Sequence, residues 1–275
     1  MTLLTIIFLS LLNSQISAMT HSGYLSELIK IRNSDHYLNQ YITDFPFNEY
    51  NIYSIKDLGS FYIDDIPDSI KWHLVRGIYW ESNIGNLVAT YTKKNTIAID
   101  LGAHIGIHTL VMSRCVGKEG SVIAFEPQFK IYRELFHNLM LNDCYENVVI
   151  LRNAVGDEEK WIEMQPRDPI NEGGTPVGSG GDSALMITLD SLELTNVSFI
   201  KMDVESSELN VLRGAVNTII NNKPVIVFEI MGGVDLNNCS QIHQKMYENI
   251  ISLLKELNYR VTLIHGNDFI AEPIP

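Results

Sequence analysis

The residues of this chain best placed to do chemistry are an acid and two spaced glycines, in the run Asp100-Leu101-Gly102-Ala103-His104-Ile105-Gly106. A carboxylate at such a point attracts a cationic group. Glycine lets the backbone come close to a ligand, because it has no Cβ and can take φ > 0. Thr96 to Leu101 read as a short buried strand, and Ile107, Leu110, Val111 and Cys115 recur about one helical turn apart after the glycines. Strand, tight turn and helix N-terminus form the usual cradle for a nucleotide-like ligand in an open α/β sheet.

Further acids stand at or just past the ends of predicted strands: Glu126, Asp203 and Glu229. Ligands of doubly wound sheets bind outside those ends. Glu126 follows Gly106 by 20 residues, where a carboxylate can accept hydrogen bonds from both hydroxyls of a ribose. That much suits a nicotinamide enzyme or an S-adenosylmethionine (SAM) enzyme alike. The spacing Asp100-x-Gly102-x-x-x-Gly106 is not the GxGxxG expected around a pyrophosphate. An acid just before the turn repels a pyrophosphate but suits an ammonium and a sulfonium. Glu81 closes the run Gly77-Ile78-Tyr79-Trp80-Glu81 ahead of the cradle, and that placement gives it functional weight. His104 and His108 are four apart, yet no third ligand and no HExxH accompany them, so no metal site is expected.

These residues must be held by a regular alternation of elements. The pattern predicts strands at 97–101, 121–125, 147–151, 197–202, 225–229 and 259–264, with helices at 105–116, 128–142, 207–221 and 240–257. Crossovers of this length favour parallel pairing, so the expected fold is α/β with a doubly wound, mostly parallel, Rossmann-like sheet. Residues 157–183 break the rhythm with five glycines and three prolines, which predicts an exposed loop, with or without a small hairpin, of the length that serves as a lid or binding loop.

The formal charge of −13 argues against partners held by a phosphate backbone, so no nucleic acid is expected. Cys115, Cys144 and Cys239 are scattered, without metal or disulfide spacing. Residues 1–12 are mostly apolar and small residues follow at Ser14, Ser17 and Ala18, which resembles a signal-peptide core, although no Lys or Arg precedes it. The bland alternative is a hydrophobic helix docking on the domain. The expected organisation is therefore a hydrophobic segment 1–18, a helical extension 19–95 and a catalytic domain 96–275. Membrane association would run through residues 1–18; location is secretory or membrane-associated if they are a targeting segment, otherwise cytoplasmic. The sequence leaves the oligomeric state open.

The run Ile99 to Gly106, followed by Ser121-Val122-Ile123-Ala124-Phe125-Glu126-Pro127, resembles the FkbM family of SAM-dependent methyltransferases. Leu135, Asn138 and Asn142 match its L-x-x-N-x-x-x-N helix, and Asn153 to Asp157 match the turn after its third strand. Thr188-Leu189-Asp190, Ile200 to Glu205, Glu208 to Ala215 and Pro224 to Glu229 follow in the family's order. The resemblance implies that Asp100, Gly102 and Gly106 hold the methionine end of SAM, Glu126 the ribose and Asn153 the adenine edge. It implies that Glu81 borders the amino-acid part of the cofactor. Asp203 and Glu205 would face the transferred methyl or the acceptor, and Asp203, Glu205 and His108 are the candidate bases, in that order. Where the family's K-x-D-x-E run continues with Gly, this chain has Ser206, which is strained if φ > 0 is required there. The expected function is O-methylation of a hydroxyl on a small molecule or glycan. Two rivals are a methyltransferase-like scaffold that has lost catalysis and a nicotinamide-dependent oxidoreductase.

Overall fold

The computed structural model describes residues 51–63, 68–230 and 241–275. The hydrophobic segment 1–18 lies outside the described residues. The described residues all fall in one compact unit, Glu49–Pro275.

The main sheet has seven strands, in the order β12-β13-β11-β10-β3-β4-β5. These are β3 (Ile97–Leu101), β4 (Ser121–Phe125), β5 (Val148–Leu151), β10 (Val197–Met202), β11 (Val225–Glu229), β12 (Tyr259–His265) and β13 (Asp268–Pro273). The inner strands β3, β4, β10 and β11 are mostly apolar and are buried on successive rather than alternate residues. Parallel strands covered on both faces need that composition. Ile99, Leu101, Phe125, Phe199 and Phe228 at their centres are almost fully buried. Every pairing from β11 to β5 is parallel, and β13 is the one antiparallel strand, wedged between β11 and β12. The sequence signalled β12 but not β13.

Residues 51–95, expected to be helical, begin with an antiparallel hairpin, β1 (Asn51–Ile55) and β2 (Gly59–Ile63), before helices α1 (Ser69–Val75) and α2 (Ser82–Tyr91). The hairpin docks on α4 (Phe129–Leu141), which follows α3 (Ile107–Val116) in the chain. Asn142 exchanges two hydrogen bonds with the Ser60 backbone, at 2.9 and 2.6 Å. Asn138 accepts from Tyr62 N at 2.7 Å and donates to Ile105 O at 2.9 Å. The two asparagines of the L-x-x-N-x-x-x-N helix thus act as side-chain extensions of a sheet ladder. They satisfy backbone groups that burial would otherwise orphan.

The segment expected to be an exposed loop, with at most a small hairpin, contributes antiparallel pairs to a second sheet. β6 (Asn153–Val155), β7 (Lys160–Met164), β8 (Val177–Gly178) and β9 (Ser183–Ile187) pair in the order β6-β9-β7-β8. Its core is Ala154, Ile162, Met164, Ala184 and Met186. Strand-forming residues were present at both ends of the segment, but the glycines and prolines between them masked the pairing.

The single helix expected over 207–221 is two, α5 (Glu208–Arg213) and α6 (Val216–Asn222), before α7 (Gln241–Glu256). Asp190 causes the break. Its carboxylate accepts from Asn217 N and Thr218 N at 2.9 and 2.7 Å, capping α6 from outside the helix, and its N–H donates to Gly214 O.

Candidate active site

The turn after β3 is tied down before any ligand is considered. Gly102 N and Ala103 N both donate to Phe125 O, at 3.1 and 2.9 Å, so the turn folds over the end of β4. Gly102 has φ +73, and a Cβ there would collide with the Asp203 carbonyl oxygen. Glycine is required at that position on both counts. His104 takes φ 49 and donates its N–H to Glu126 Oε2 at 3.1 Å, while Gln128 N donates to Glu126 Oε1 at 2.9 Å. Glu126 is therefore aimed by two backbone donors, one from each neighbouring turn. Burial pushes its carboxyl up to about 7 despite those bonds.

Asp100 is completely buried at the end of β3. Thr109 donates to its Oδ2 at 2.6 Å, whereas Oδ1 has no hydrogen-bond partner. The nearest cation is Lys201, whose Nζ is 3.8 Å from Oδ1. Lys201 also donates to Gly102 O at 2.9 Å and to Asp203 Oδ2 at 3.3 Å. Burial alone would lower its pKa, yet Asp203, Asp100 and Glu81 hold it above the ordinary lysine value. One ammonium thus joins the glycine turn to the acids after β10. Lys201 carried no role in the sequence reading, although it lies in the run Ile200 to Glu205.

Glu81 precedes α2 with φ 51, and its Oε2 lies 3.2 Å from His108 Nε2. Burial would raise its pKa, but the hydrogen bond and charge of His108, with Lys201, bring it below the ordinary carboxylate value. His108 is thereby placed as the partner of Glu81, with Nδ1 buried and unpartnered. Asn153 lies in β6 and donates to Leu185 O at 3.0 Å, so its amide bridges β6 and β9.

A small cleft beside Lys201 is lined among others by Glu81, Asp203, Glu229 and Asp268. Glu205, two residues past Asp203, has φ 50 and is pushed up to about 7 by burial and by Asp203, Glu229 and Glu208. Burial, Glu81, Glu229 and Asp203 push Asp268 up to about 7 as well. Asp268 escaped the sequence reading. Its only signal was the turn Gly266-Asn267 that carries it. Among the described residues no group of three or more His, Cys, Asp or Glu side chains could hold a metal ion.

These residues fit a ligand that carries an ammonium and a sulfonium at one end and a ribose at the other. The buried, half-satisfied Asp100 and the buried His104 Nε2 and His108 Nδ1 lack protein partners around the turn. Buried polar groups without partners are costly, so they mark where a ligand supplies the missing bonds. Asp100 and Glu81 would hold the amino-acid end, and Glu126 the ribose.

The methyltransferase FkbM domain matches residues 100–261. The chain is 29% identical over 175 residues to the hexuronic acid methyltransferase AglP of Haloferax volcanii, a match covering 61% of this chain and 70% of that protein. A solved methyltransferase FkbM from Methylobacillus flagellatus aligns with a TM-score of 0.46 at 16% identity, covering 76% of this chain and 55% of that one. A SAM-dependent O-methyltransferase from Thermotoga maritima aligns with a TM-score of 0.46 at 14% identity, covering 82% and 78%. With its turn, its acids and their order accounted for, the chain belongs to the FkbM family of SAM-dependent methyltransferases.

Proposed function

We propose that the protein transfers a methyl group from SAM to a hydroxyl oxygen of a sugar or other small hydroxylated molecule. The observation that carries this reading is Asp100, fully buried beside the glycine turn, whose Oδ1 accepts no hydrogen bond and has only the Lys201 ammonium, 3.8 Å away, as a counter-charge. The named activity of the Haloferax volcanii relative supports a sugar acceptor. A nicotinamide dinucleotide fits poorly, because Asp100 and Glu126 would face a pyrophosphate with two carboxylates and no glycine-rich cradle.

When bound, SAM supplies an electrophilic methyl carbon. The chain's contribution is alignment of the acceptor oxygen and removal of its proton. Asp203 is held by Lys201, and His108 is held by Glu81. Glu205 has no such cationic partner among the described residues, and its value of about 7 suits a general base near neutral pH. In this reading Glu205 takes the acceptor O–H proton, while SAM when bound would supply the methyl carbon by giving up its S–CH₃ bond, the pair staying on sulfur as the thioether of S-adenosylhomocysteine. Asp203 and Glu81 fix the surrounding charge.

The test is SAM binding by calorimetry, with Asp100→Asn and Asp100→Ala beside the wild type and thermal melts to confirm folding. Wild-type binding that weakens about tenfold or more in both variants supports the reading, a loss of ~1.4 kcal/mol or more. A folded wild type that binds no SAM overturns it.

A further inference from the structure

The end of the cleft farthest from the glycine turn is built by residues that the shared methyltransferase machinery does not explain. Met202 pairs with Phe228, Phe228 with Phe269, and Glu229 with Asp268. Asp203, Glu229 and Asp268 therefore stand in one row across the ends of three neighbouring strands, about 5 Å apart from strand to strand. The order of the sheet gives the row a direction. Glu126 follows β4, Asp100 ends β3, Asp203 follows β10, and Glu229 and Asp268 lie one and two strands further on. With the ribose at Glu126 and the amino-acid end at Asp100, the space over β11 and β13 is left for the acceptor.

That space has a definite charge. Among the described residues Lys201 is the one cation lining the cleft, and its ammonium is committed to Gly102 O, Asp203 and Asp100. Neither Glu229 nor Asp268 forms an ion pair among the described residues. Glu229 accepts one long hydrogen bond from Asn267 Nδ2, at 3.3 Å, and Asp268 faces Glu81, Glu229 and Asp203 across the opening. Burial first, and then these acidic neighbours, raise both carboxyls, with Lys201 acting against them at a distance. Asp268 also lies outside residues 100–261, the part matched by the family.

Resting on the proposed methyl transfer, we propose that Glu229 and Asp268 are the acceptor-recognition pair, and that they select a neutral sugar-type polyol over an acidic sugar. Carboxylates accept hydrogen bonds from vicinal hydroxyls, and they repel a carboxylate brought beside them. The curated relative is named for a hexuronic acid; among the described residues this cleft offers a hexuronate no free cation.

The experiment uses the full chain with methyl glycosides of neutral hexoses and of the matching hexuronic acids as probes. Binding is read by saturation-transfer NMR in the presence of S-adenosylhomocysteine, and methylation by label transfer from SAM. The expected result is a preference for the neutral glycosides of about tenfold or more. Asp268→Asn and Glu229→Gln keep the shape and remove the charge, and each should cut that preference several-fold. SAM affinity by calorimetry serves as the fold control. Equal or better use of the hexuronides by the wild type overturns the proposal. So does a preference that survives both substitutions, or SAM-binding protein that neither binds nor methylates any glycoside. Loss of SAM binding in the wild type would instead sink the underlying methyltransferase reading, and calorimetry separates the two failures.

Discussion

Ser206 is the residue at which this chain departs from its family's motif, and the structure gives the departure a conformation. Its φ is +69, directly after Glu205 at +50, so two consecutive side-chain-bearing residues occupy the left-handed region. Each costs of order 1 kcal/mol where glycine would cost none. The sequence made strain conditional on the sign of φ, and the sign is positive. The strain lies within the site, because the same turn carries Glu205 to the cleft. Ser206→Gly should relieve it and stabilise the protein by ~1 kcal/mol, less the entropy that glycine returns to the unfolded chain. A rise in the thermal midpoint of ~2–4 °C is the expected reading. An unchanged or lower midpoint would mean that the turn, not the residue, sets the conformation at no cost.

Between β7 and β9 the chain forms a strap, and a buried ion cluster fastens it. Glu172 is fully buried and meets Lys71, Lys130 (2.8 Å) and Arg167 (3.0 Å), drawn from α1, α4 and the strap itself. Glu134 of α4 joins the same two lysines at 2.9 and 2.7 Å. The Glu172 N–H donates to Asp68, which also caps α1, and its carbonyl accepts from Gln128. Gly173, the next residue, lies against the His104 ring of the cofactor turn, so that a Cβ there would come within 3.2 Å. Removing one member of a buried cluster strands the opposite charges. Glu172→Ala should therefore destabilise the protein by roughly 3–5 kcal/mol, read as a lower urea midpoint. A change under ~1 kcal/mol would show that the strap folds back without the cluster. None of this could be read from the sequence. The inner strands were legible because an unbroken apolar run such as Val225-Ile226-Val227-Phe228 has one interpretation at that length. Lys71, Glu134 and Glu172 are far apart in the chain, and each alone resembles a solvated surface charge. The same limit hid Asp268, whose meaning comes from the register that sets it opposite Glu229.

At the scale of the whole molecule, the acids of the site set how stability depends on pH. Burial and neighbouring charges push Glu126, Glu205, Glu208 and Asp268 each up to about 7 in the folded protein. Their unfolded values are near ~4. The folded state thus binds more protons than the unfolded one between those limits, and its stability falls as pH rises through about 7. Two histidines act in the other direction: burial lowers His104 to about 4 and His137 to about 3. Their contribution grows as pH rises to ~6.5 and is complete above it, so the two effects oppose each other only on the acid side. From pH 6.5 to 8 the carboxylates act alone. The apo protein should lose stability of order 1 kcal/mol over that interval, after allowance for solvent screening of the partly exposed Glu205 and Asp268. That corresponds to ~2–4 °C in the thermal midpoint. Glu126→Gln should flatten part of the slope. A saturating sulfonium ligand should remove more of it, because its positive charge favours the ionised carboxylates that the empty cleft disfavours. A midpoint that rises between pH 6.5 and 8 would mean that these acids already find counter-charge within the fold, and the cleft would then have no electrostatic reason to prefer a cationic cofactor.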